Sequence, residues 1–226
     1  QRFHSLVAKA LFVAKRTKLM ILPAVSVLAS RVNNPNMKDS HKLDKVFAYL
    51  NCTKDVVVKY KCDVDINLEA YIDASWATHK DCKSRTGVIL MMCGAAIGGW
   101  SYKQKMVTRH STEAEIVALT DGLSEVIWSK RWLNEQGHSV GKIRVYQDNE
   151  AVLKLMKSDR RTHQRTKHLD ARYFYARELE EEDEIEIIWT STGHMVADLM
   201  TKPLMGQSFT YLSGCITGNE QINLNN

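Results

Sequence analysis

The chain has 226 residues, 44% of them hydrophobic, which is enough to bury a core in one large domain or in one domain with an appendage. Its formal net charge of +5 is modest, so composition permits binding to a polyanion without requiring it. The five cysteines are odd in number and include no Cys-x-x-Cys pair, which argues against a disulfide framework and a zinc site and fits a reducing compartment.

The most apolar early run is LMILPAVSVLA at 19–29. It is too short to span a bilayer, contains Pro23 and follows the charged KRTK, so we expect no export signal and no membrane partner. The chain opens on Gln1 rather than Met, and we expect it to be a piece of something longer.

The first part of the chain has helical periodicity. Apolar residues recur at helical spacing over 5–31 and again over 40–50, on either side of the turn-rich NNPN. This pattern predicts a small helical segment that ends near residue 55.

The pattern changes at residue 56. VVVKYKC and INLEAYIDASW are rich in β-branched and aromatic residues and predict strands, and GVILMMCGAAIGGWSY predicts two more strands folded about Gly94. Successive strands of this kind indicate an antiparallel meander.

The second half alternates between helical and strand patterns. Ser111 or Thr112 is expected to cap a long helix that ends at Gly137. The elements expected after it are a strand in KIRVYQD, helices in NEAVLKLMK and LDARYFYARELEE, a strand in EIEIIWT and a helical turn in MVADLMTK. The order βββ-α-β-α-α-β-α predicts an α/β fold with a mixed five-stranded sheet and helices packed on it. The tryptophans are expected in the core, and the tail LSGCITGNEQINLNN is expected to be loosely ordered.

Four acidic residues fall at the ends of these predicted elements: Asp73, Glu115, Asp148 and Asp198. Strand ends and helix starts can meet at one edge of such a sheet, and clustered carboxylates stay ionised only if cations neutralise them. Ligands that are all oxygen suit Mg²⁺, with Mn²⁺ as the alternative. Two such ions about 3.5–4 Å apart can act on a phosphodiester. For any single Asp, a helix cap or a solvated surface position is the simpler interpretation.

Glu113 and Glu115 open the long helix two residues apart, and at about 100° per residue they cannot share one face. Glu115 shares its side with small or apolar residues that permit close approach to a sheet. The helical wheel favours Glu115 as the member of the acidic group but does not decide between the two.

Several blocks of the sequence resemble one known family, in the family's own order. YIDASWA, RTG, KQKMVTRHSTEAEIVAL, VYQDNEAV, RTKHLDARYFYAREL and ADLMTKPL are similar to the ribonuclease H domain of the copia-type retrotransposon polyprotein (Gag-Pol). HSLVAKALFVAKRTK, LPAVSVLASRV and KVFAYL resemble the connection segment that joins the reverse-transcriptase polymerase to that domain. The resemblance divides the chain into a connection segment at 1–55, a ribonuclease H-like domain at 56–205 and a C-terminal tail at 206–226.

The resemblance implies a ribonuclease H fold and hydrolysis of the RNA strand of RNA–DNA hybrids by a two-metal mechanism. Asp73, Glu115, Asp148 and Asp198 match the metal-binding residues; the family's glutamate is followed by two residues and then Ala, as Glu115 is here. Ribonuclease H enzymes often carry a histidine near the last aspartate that assists proton transfer or product release, and His194 is the candidate. The implied partners are the hybrid and the polymerase domain of the same polyprotein. The implied locations are a cytoplasmic virus-like particle and the nucleus.

The segment KSDRRTHQRTKH at 157–168 is strongly basic. As an isolated charge run it is solvated surface, but beside a phosphodiester-cutting site it predicts a backbone grip through Arg160, Arg161, Arg165 and Lys167.

The sequence departs from the family pattern in three places. His110 stands where a small hydroxyl residue is expected, Ser75 stands where a second Asp is common, and the paired-aspartate motif of the polymerase is absent. The last departure means that we expect no DNA synthesis by this chain alone. Two alternatives to an active ribonuclease H remain. One is a degenerate, inactive element copy that only binds nucleic acid; the other is a transposase or integrase, which the order of the acidic residues disfavours.

Overall fold

The computed structural model describes residues 1–61, 66–157 and 167–222, with only the backbone for 167–170. Five strands form one sheet in the order β3-β2-β1-β4-β5. They are Leu68–Ser75 (β1), Arg85–Met92 (β2), Ala95–Lys103 (β3), Ile143–Gln147 (β4) and Ile185–Trp189 (β5). β1, β2 and β3 are antiparallel neighbours, whereas β4 runs parallel to both β1 and β5. The predicted meander and mixed sheet are therefore confirmed.

Helices surround this sheet. Within the described ranges they are Arg2–Arg16 (α1), Leu22–Ala29 (α2), Met37–Cys52 (α3), Ser111–Glu135 (α4), Glu150–Met156 (α5), Lys167–Glu181 (α6), Asp198–Thr201 (α7) and Gly206–Ile216 (α8). Two short 3₁₀ turns lie at Leu19–Ile21 and Thr192–His194. The element order after the N-terminal helices is the one predicted, and the architecture is ribonuclease H-like. No helix in the described part of the chain is long and apolar enough to cross a membrane.

The two faces of the sheet bury different helices, because successive side chains of a strand point to opposite faces. Ala70 and Ile72 belong to an apolar cluster with α4, α5 and α6. Tyr71 and Ile89 belong to a second cluster with α1, α2, α3, α7 and α8. Asp73 follows Tyr71 on this second face, at the carboxyl end of β1.

Helix α4 begins one residue away from the predicted caps. Its N-cap is His110, which makes no side-chain capping hydrogen bond. The side chain of Glu113 instead accepts a hydrogen bond from the backbone N–H of Arg109 at 2.7 Å. The carboxylate of Glu113 thus fixes the residue before the N-cap, and its negative charge in the first turn favours the positive end of the helix dipole. At the other end Gly137 has a φ of +89°, which confirms the predicted C′ glycine.

Two predictions about irregular segments are wrong. Residues 56–61 form no strand; Lys59 N–H donates to Thr217 O and Lys61 N–H to Cys93 O, both at 2.8 Å, and two isolated bonds do not make a ladder. The loose order predicted for 212–226 is wrong over 212–216, because α8 buries Leu212 and Ile216 in the same cluster as the N-terminal helices. Residues 223–226 lie outside the described part of the chain. The division of the chain after residues 55 and 205 stays a prediction.

The expectation that the tryptophans are core residues is wrong for four of them. Trp76, Trp128, Trp132 and Trp189 have about half or more of their surface exposed. Trp100 packs against the α4-side cluster as expected. The apolar sequence around them misled the prediction: Trp128 and Trp132 lie on the exposed side of α4, Trp189 is the last residue of β5, and Trp76 follows the end of β1.

Candidate active site

Three predicted acidic residues meet at one edge of the sheet. Asp73 lies in β1, Glu115 in the second turn of α4 and Asp148 directly after β4. Each offers a carboxylate oxygen, and these oxygens all lie within 4.8 Å of one another. Asp73 is 1% exposed and Glu115 is 6% exposed, whereas Asp148 is half-buried. The group is therefore buried at Asp73 and Glu115 and accessible to solvent at Asp148.

The topology of the sheet explains this meeting. β1 and β4 are parallel neighbours, so their carboxyl ends lie at the same edge. Helix α4 packs close to the sheet at Gly122, where an added Cβ would lie 2.9 Å from both Ile72 Cδ1 and Val88 Cγ2. The close packing brings the start of α4, and with it Glu115, to the carboxyl end of β1.

The fourth predicted acid, Asp198, joins the group through a lysine. Lys202 Nζ lies 2.6 Å from Asp198 Oδ1 and 3.8 Å from Asp73 Oδ1. The hydroxyl of Thr201 donates a hydrogen bond to Asp73 Oδ2. Helix α7 and its C-cap residue Lys202 therefore contribute one carboxylate, one cation and one hydroxyl donor within five residues.

A glycine lets α7 come this close. Gly87 pairs with Asp73 across β1 and β2. A Cβ at Gly87 would lie 2.6 Å from Thr201 Cγ2 and 2.9 Å from the backbone oxygen of Ala197, both far inside contact distance. The absence of a side chain at this position is thus a condition for the docking of α7 beside Asp73.

Burial dominates the electrostatics of the group. It raises the pKa of Asp73 to about 7, an effect that Lys202 opposes and the charge of Asp198 strengthens. Burial, followed by the charge of Asp73, raises the pKa of Glu115. The pKa of Asp198 is also raised by burial, against the hydrogen bond from Lys202. For Lys202 burial acts to lower the pKa, but the carboxylates of Asp73 and Asp198 outweigh it and the net shift is upward.

This donor set fits a hard divalent cation. The three oxygens of Asp73, Glu115 and Asp148 are carboxylate oxygens, the ligand type that Mg²⁺ and Mn²⁺ prefer over sulfur or nitrogen. The raised pKa values of Asp73 and Glu115 mean that the surrounding protein does not supply enough positive charge to keep both ionised. A bound cation would supply that charge.

The sequence did not point to Lys202, Thr201 or Gly87. All three lie in blocks that carried the family resemblance, RTG and ADLMTKPL. A usable indication was present for Lys202, since it follows Asp198 at the i, i+4 spacing of helical ion pairs. Nothing local could have indicated Gly87, because its role depends on a helix more than a hundred residues further along the chain.

The structure does not bring the predicted histidine into contact with the acidic group, and most of the predicted basic residues lie outside the described part of the chain. Within the described part of the chain, His194 Nδ1 lies 3.1 Å from Ser191 Oγ and its ring lies 6.2 Å from that of Tyr211, so its contacts are not with the acidic group. The neighbouring Thr192 does reach the group, since its hydroxyl donates to Asp148 Oδ2 at 2.9 Å. Arg160, Arg161 and Arg165 lie outside the described residues, and Lys167 is described only as the first residue of α6.

Comparison with known proteins identifies relatives over most of the chain. No family model matches. The chain is 32% identical over 208 residues to the retrovirus-related Pol polyprotein from transposon TNT 1-94 of Nicotiana tabacum, which covers 92% of this chain and 16% of the relative. It is 31% identical over 188 residues to the corresponding polyprotein from transposon RE1 of Arabidopsis thaliana, covering 82% of this chain and 13% of the relative.

Among solved structures, the N-terminal RNase H domain of rv2228c from Mycobacterium tuberculosis matches with a TM-score of 0.46 and 14% identity, covering 65% of this chain and 98% of that one. The chain spans at most about a sixth of the length of the curated relatives named above. Its homologues are retrovirus-related Pol polyproteins of copia-type transposons, and the chain corresponds to one segment of such a polyprotein.

Proposed function

We propose that this chain hydrolyses the RNA strand of RNA–DNA hybrids, as the ribonuclease H part of a copia-type retrotransposon reverse transcriptase. The observation that carries the proposal is the meeting of acids from separate elements. Oxygens of Asp73, Glu115 and Asp148 lie within 4.8 Å of one another, and Asp198 is linked to Asp73 through Lys202. The similarity to Pol polyproteins supports the same function.

Asp73, Glu115 and Asp148 would hold the metal, with Asp198 as a further ligand once Lys202 releases it. Two bound Mg²⁺ ions, or Mn²⁺ in their place, would supply Lewis-acid activation of water and stabilisation of the leaving oxygen in phosphodiester hydrolysis. The ribonuclease H-like fold and the oxygen-only donor set support this cofactor.

The residues of the chain contribute orientation and charge. Thr201 donates to Asp73 Oδ2, and Lys202 Nζ lies 3.8 Å from Asp73 Oδ1, so Oδ1 would bind a cation once Lys202 moves away. Thr192 donates to Asp148 Oδ2 and orients that carboxylate. His194 lies two residues after Thr192, and we assign it to proton transfer or product release at the open side of the group.

The hybrid would lie across this edge of the sheet. The basic run with Arg160, Arg161, Arg165 and Lys167 would grip phosphates without sequence preference. Trp76, the residue after β1, is half-exposed while its indole N–H donates to Thr108 O at 3.1 Å, so it offers a fixed aromatic face to the substrate. Selectivity for the hybrid would come from 2′-hydroxyls and helix geometry.

The setting of this activity follows from the relatives. A Pol polyprotein context fits a virus-like particle, and we propose the polymerase domain of the same polyprotein as the partner. Access to the nucleus belongs to the same proposal.

The test is cleavage of a labelled RNA–DNA hybrid in Mg²⁺ and in EDTA. We expect Mg²⁺-dependent cutting of the RNA strand that falls about a thousandfold in Asp148→Asn, since a bound metal contributes several kcal/mol to such a reaction. Asp81→Asn is the matched control, because Asp81 is exposed and pairs with Lys103. Cutting that persists in EDTA or in Asp148→Asn would refute the mechanism.

An absence of cutting, in a protein that still binds the hybrid, would favour the inactive element copy or a domain that needs its polymerase. Adding the polymerase domain in trans separates these two cases. Strand transfer on double-stranded DNA would instead favour the transposase or integrase alternative.

A further inference from the structure

One buried side chain beside the acidic group has no role in the mechanism above. Gln147 is the last residue of β4 and is 0% exposed. Along β4 it follows Ile143 and Val145 on the face that packs against α4, where both preceding residues are apolar core. An apolar residue would fill this position without the cost of burying an amide.

Both ends of the Gln147 amide are hydrogen-bonded, and both contact acids of the group. Its Oε1 accepts from the backbone N–H of Asp148 at 2.9 Å and of Asn149 at 3.2 Å. Its Nε2 donates to Glu115 Oε2 at 3.4 Å. One side chain thus connects the backbone that carries Asp148 to the carboxylate that α4 contributes.

The segment is fixed from the other side as well. Asn149 is the N-cap of α5, and its Oδ1 accepts from Ala151 N–H at 3.0 Å and Val152 N–H at 3.3 Å. Asp148 therefore lies between a residue anchored in the sheet and a residue anchored at the start of a helix. Its carboxylate is held where it faces Asp73 and Glu115.

We propose that Gln147 is a positioning residue that sets Glu115 and Asp148 in one frame for cation binding. It touches neither substrate nor cation and acts through these two carboxylates. Outer partners of this kind typically change metal affinity about 10- to 100-fold when they are removed. The inference rests on the proposed function only where cleavage is measured, because cation binding can be measured without it.

The decisive variant is Gln147→Met, which keeps the length and approximate volume of the side chain and removes all three hydrogen bonds. Lys130→Met is the matched control. Lys130 is a buried residue of α4, the helix that carries Glu115, and it lies fifteen residues after Glu115. Its Nζ lies 2.6 Å from Glu184 Oε2. Both variants lose a buried polar contact of α4, but only one loses a contact to the acidic group.

The measurements are Mn²⁺ affinity by calorimetry, the unfolding temperature in EDTA, and kcat and KM on the hybrid. We expect Mn²⁺ affinity to fall at least tenfold in Gln147→Met, with kcat reduced and KM for the hybrid unchanged. In Lys130→Met we expect the unfolding temperature to fall by about as much as in Gln147→Met, while Mn²⁺ affinity stays within about twofold of that of the original chain.

Wild-type Mn²⁺ affinity in a folded Gln147→Met variant would overturn the proposal. Equal losses of affinity in Gln147→Met and Lys130→Met at equal loss of stability would also overturn it, because the effect would then be purely structural. If the original chain binds Mn²⁺ but does not cut the hybrid, the proposed function fails while the Mn²⁺ comparison still decides the role of Gln147.

Discussion

Helices α4 and α7 each bring one acid to the site, and they do so by different means. Helix α4 spans Ser111–Glu135 and buries residues along its whole length against β1, β2 and α6, so Glu115 is positioned by an extensive interface. Helix α7 is the four residues Asp198–Thr201. All four of its residues are buried, with Leu199 and Met200 in the same apolar cluster as the N-terminal helices. Close contacts fix it at three further points: the space above Gly87, the hydroxyl of Thr201 on Asp73, and Ser101 Oγ, which donates to Met200 O at 2.6 Å.

The difference in length between the two helices predicts how the site responds to a substitution. A long packed helix can absorb a local disturbance, because many contacts share the resulting strain. A four-residue helix too short to be stable alone cannot, because a single lost contact or a single added atom moves all of it. We therefore expect the site to be more sensitive on the α7 side, and three experiments test that expectation.

The first experiment compares two glycine substitutions, one in β2 beneath α7 and one in α4 itself, and the largest effect is expected from the first of them. In Gly87→Ala the new Cβ would lie 2.9 Å from a backbone oxygen of Ala197 as well as 2.6 Å from Thr201 Cγ2, so α7 itself has to shift. We expect a loss of about 1–3 kcal/mol in the free energy of unfolding from overpacking, together with loss of hybrid cleavage as Asp198 and Lys202 move.

Gly122→Ala is the comparison variant within α4, where that helix packs on the sheet. The atoms nearest to its Cβ would be side-chain atoms rather than backbone, Ile72 Cδ1 and Val88 Cγ2 at 2.9 Å each, and the helix gains up to about 1 kcal/mol of intrinsic propensity from alanine. Urea unfolding and cleavage are measured on both variants. The comparison fails if Gly122→Ala impairs cleavage as strongly as Gly87→Ala does.

The second experiment removes the cation that α7 supplies. In Lys202→Met the buried Asp73 and Asp198 lose their counter-charge, and we expect the metal-free protein to lose about 2 kcal/mol, less than for a fully buried pair because the Lys202 side chain is 35% exposed. Lys103→Met, which breaks an exposed pair with Asp81, should cost about 0–1 kcal/mol.

Mg²⁺ distinguishes the two lysine variants further. Because a bound cation replaces the missing charge, Mg²⁺ should raise the unfolding temperature more in Lys202→Met than in Lys103→Met. Equal responses of the two variants to Mg²⁺ would show that Lys202 does not neutralise the acidic group.

The third experiment, with the smallest expected effect, is the pH dependence of stability in EDTA. The pKa of Asp73 is raised by burial from 3.8 to about 7, so the folded protein binds a proton that the unfolded chain releases. This contribution is fully present below about pH 4 and is lost as the pH rises through about 7; the pKa values of Glu115 and Asp198 are shifted in the same direction.

We therefore expect the unfolding temperature in EDTA to fall between pH 5 and pH 8, and to fall less steeply in Asp73→Asn, which cannot release that proton. Added Mg²⁺ should stabilise the protein more at pH 8 than at pH 5, since cations bind the ionised carboxylates. An identical pH profile in Asp73→Asn would contradict the assigned pKa of Asp73.

Local patterns were sufficient wherever one element carried the information. The periodicity after residue 110 predicted α4, and Gly137 marked its end correctly, because both depend on residues a few positions apart. The same reasoning misplaced the α4 cap, since the helix starts at Ser111 and its N-cap is His110 rather than Ser111 or Thr112. It also missed α8, whose burial depends on N-terminal helices about two hundred residues earlier in the chain.

The sequence by itself determined the order of strands and helices from β1 to α7 and the four acids at element ends, because these follow from side-chain periodicity and from matching blocks of residues. Only the tertiary structure decided that Lys202 and Thr201 contact Asp73 and that Gln147 connects two of the carboxylates. The physical reason is distance along the chain: these contacts join residues up to 128 positions apart, and the pairing of the strands and the packing of α4 and α7 bring them together.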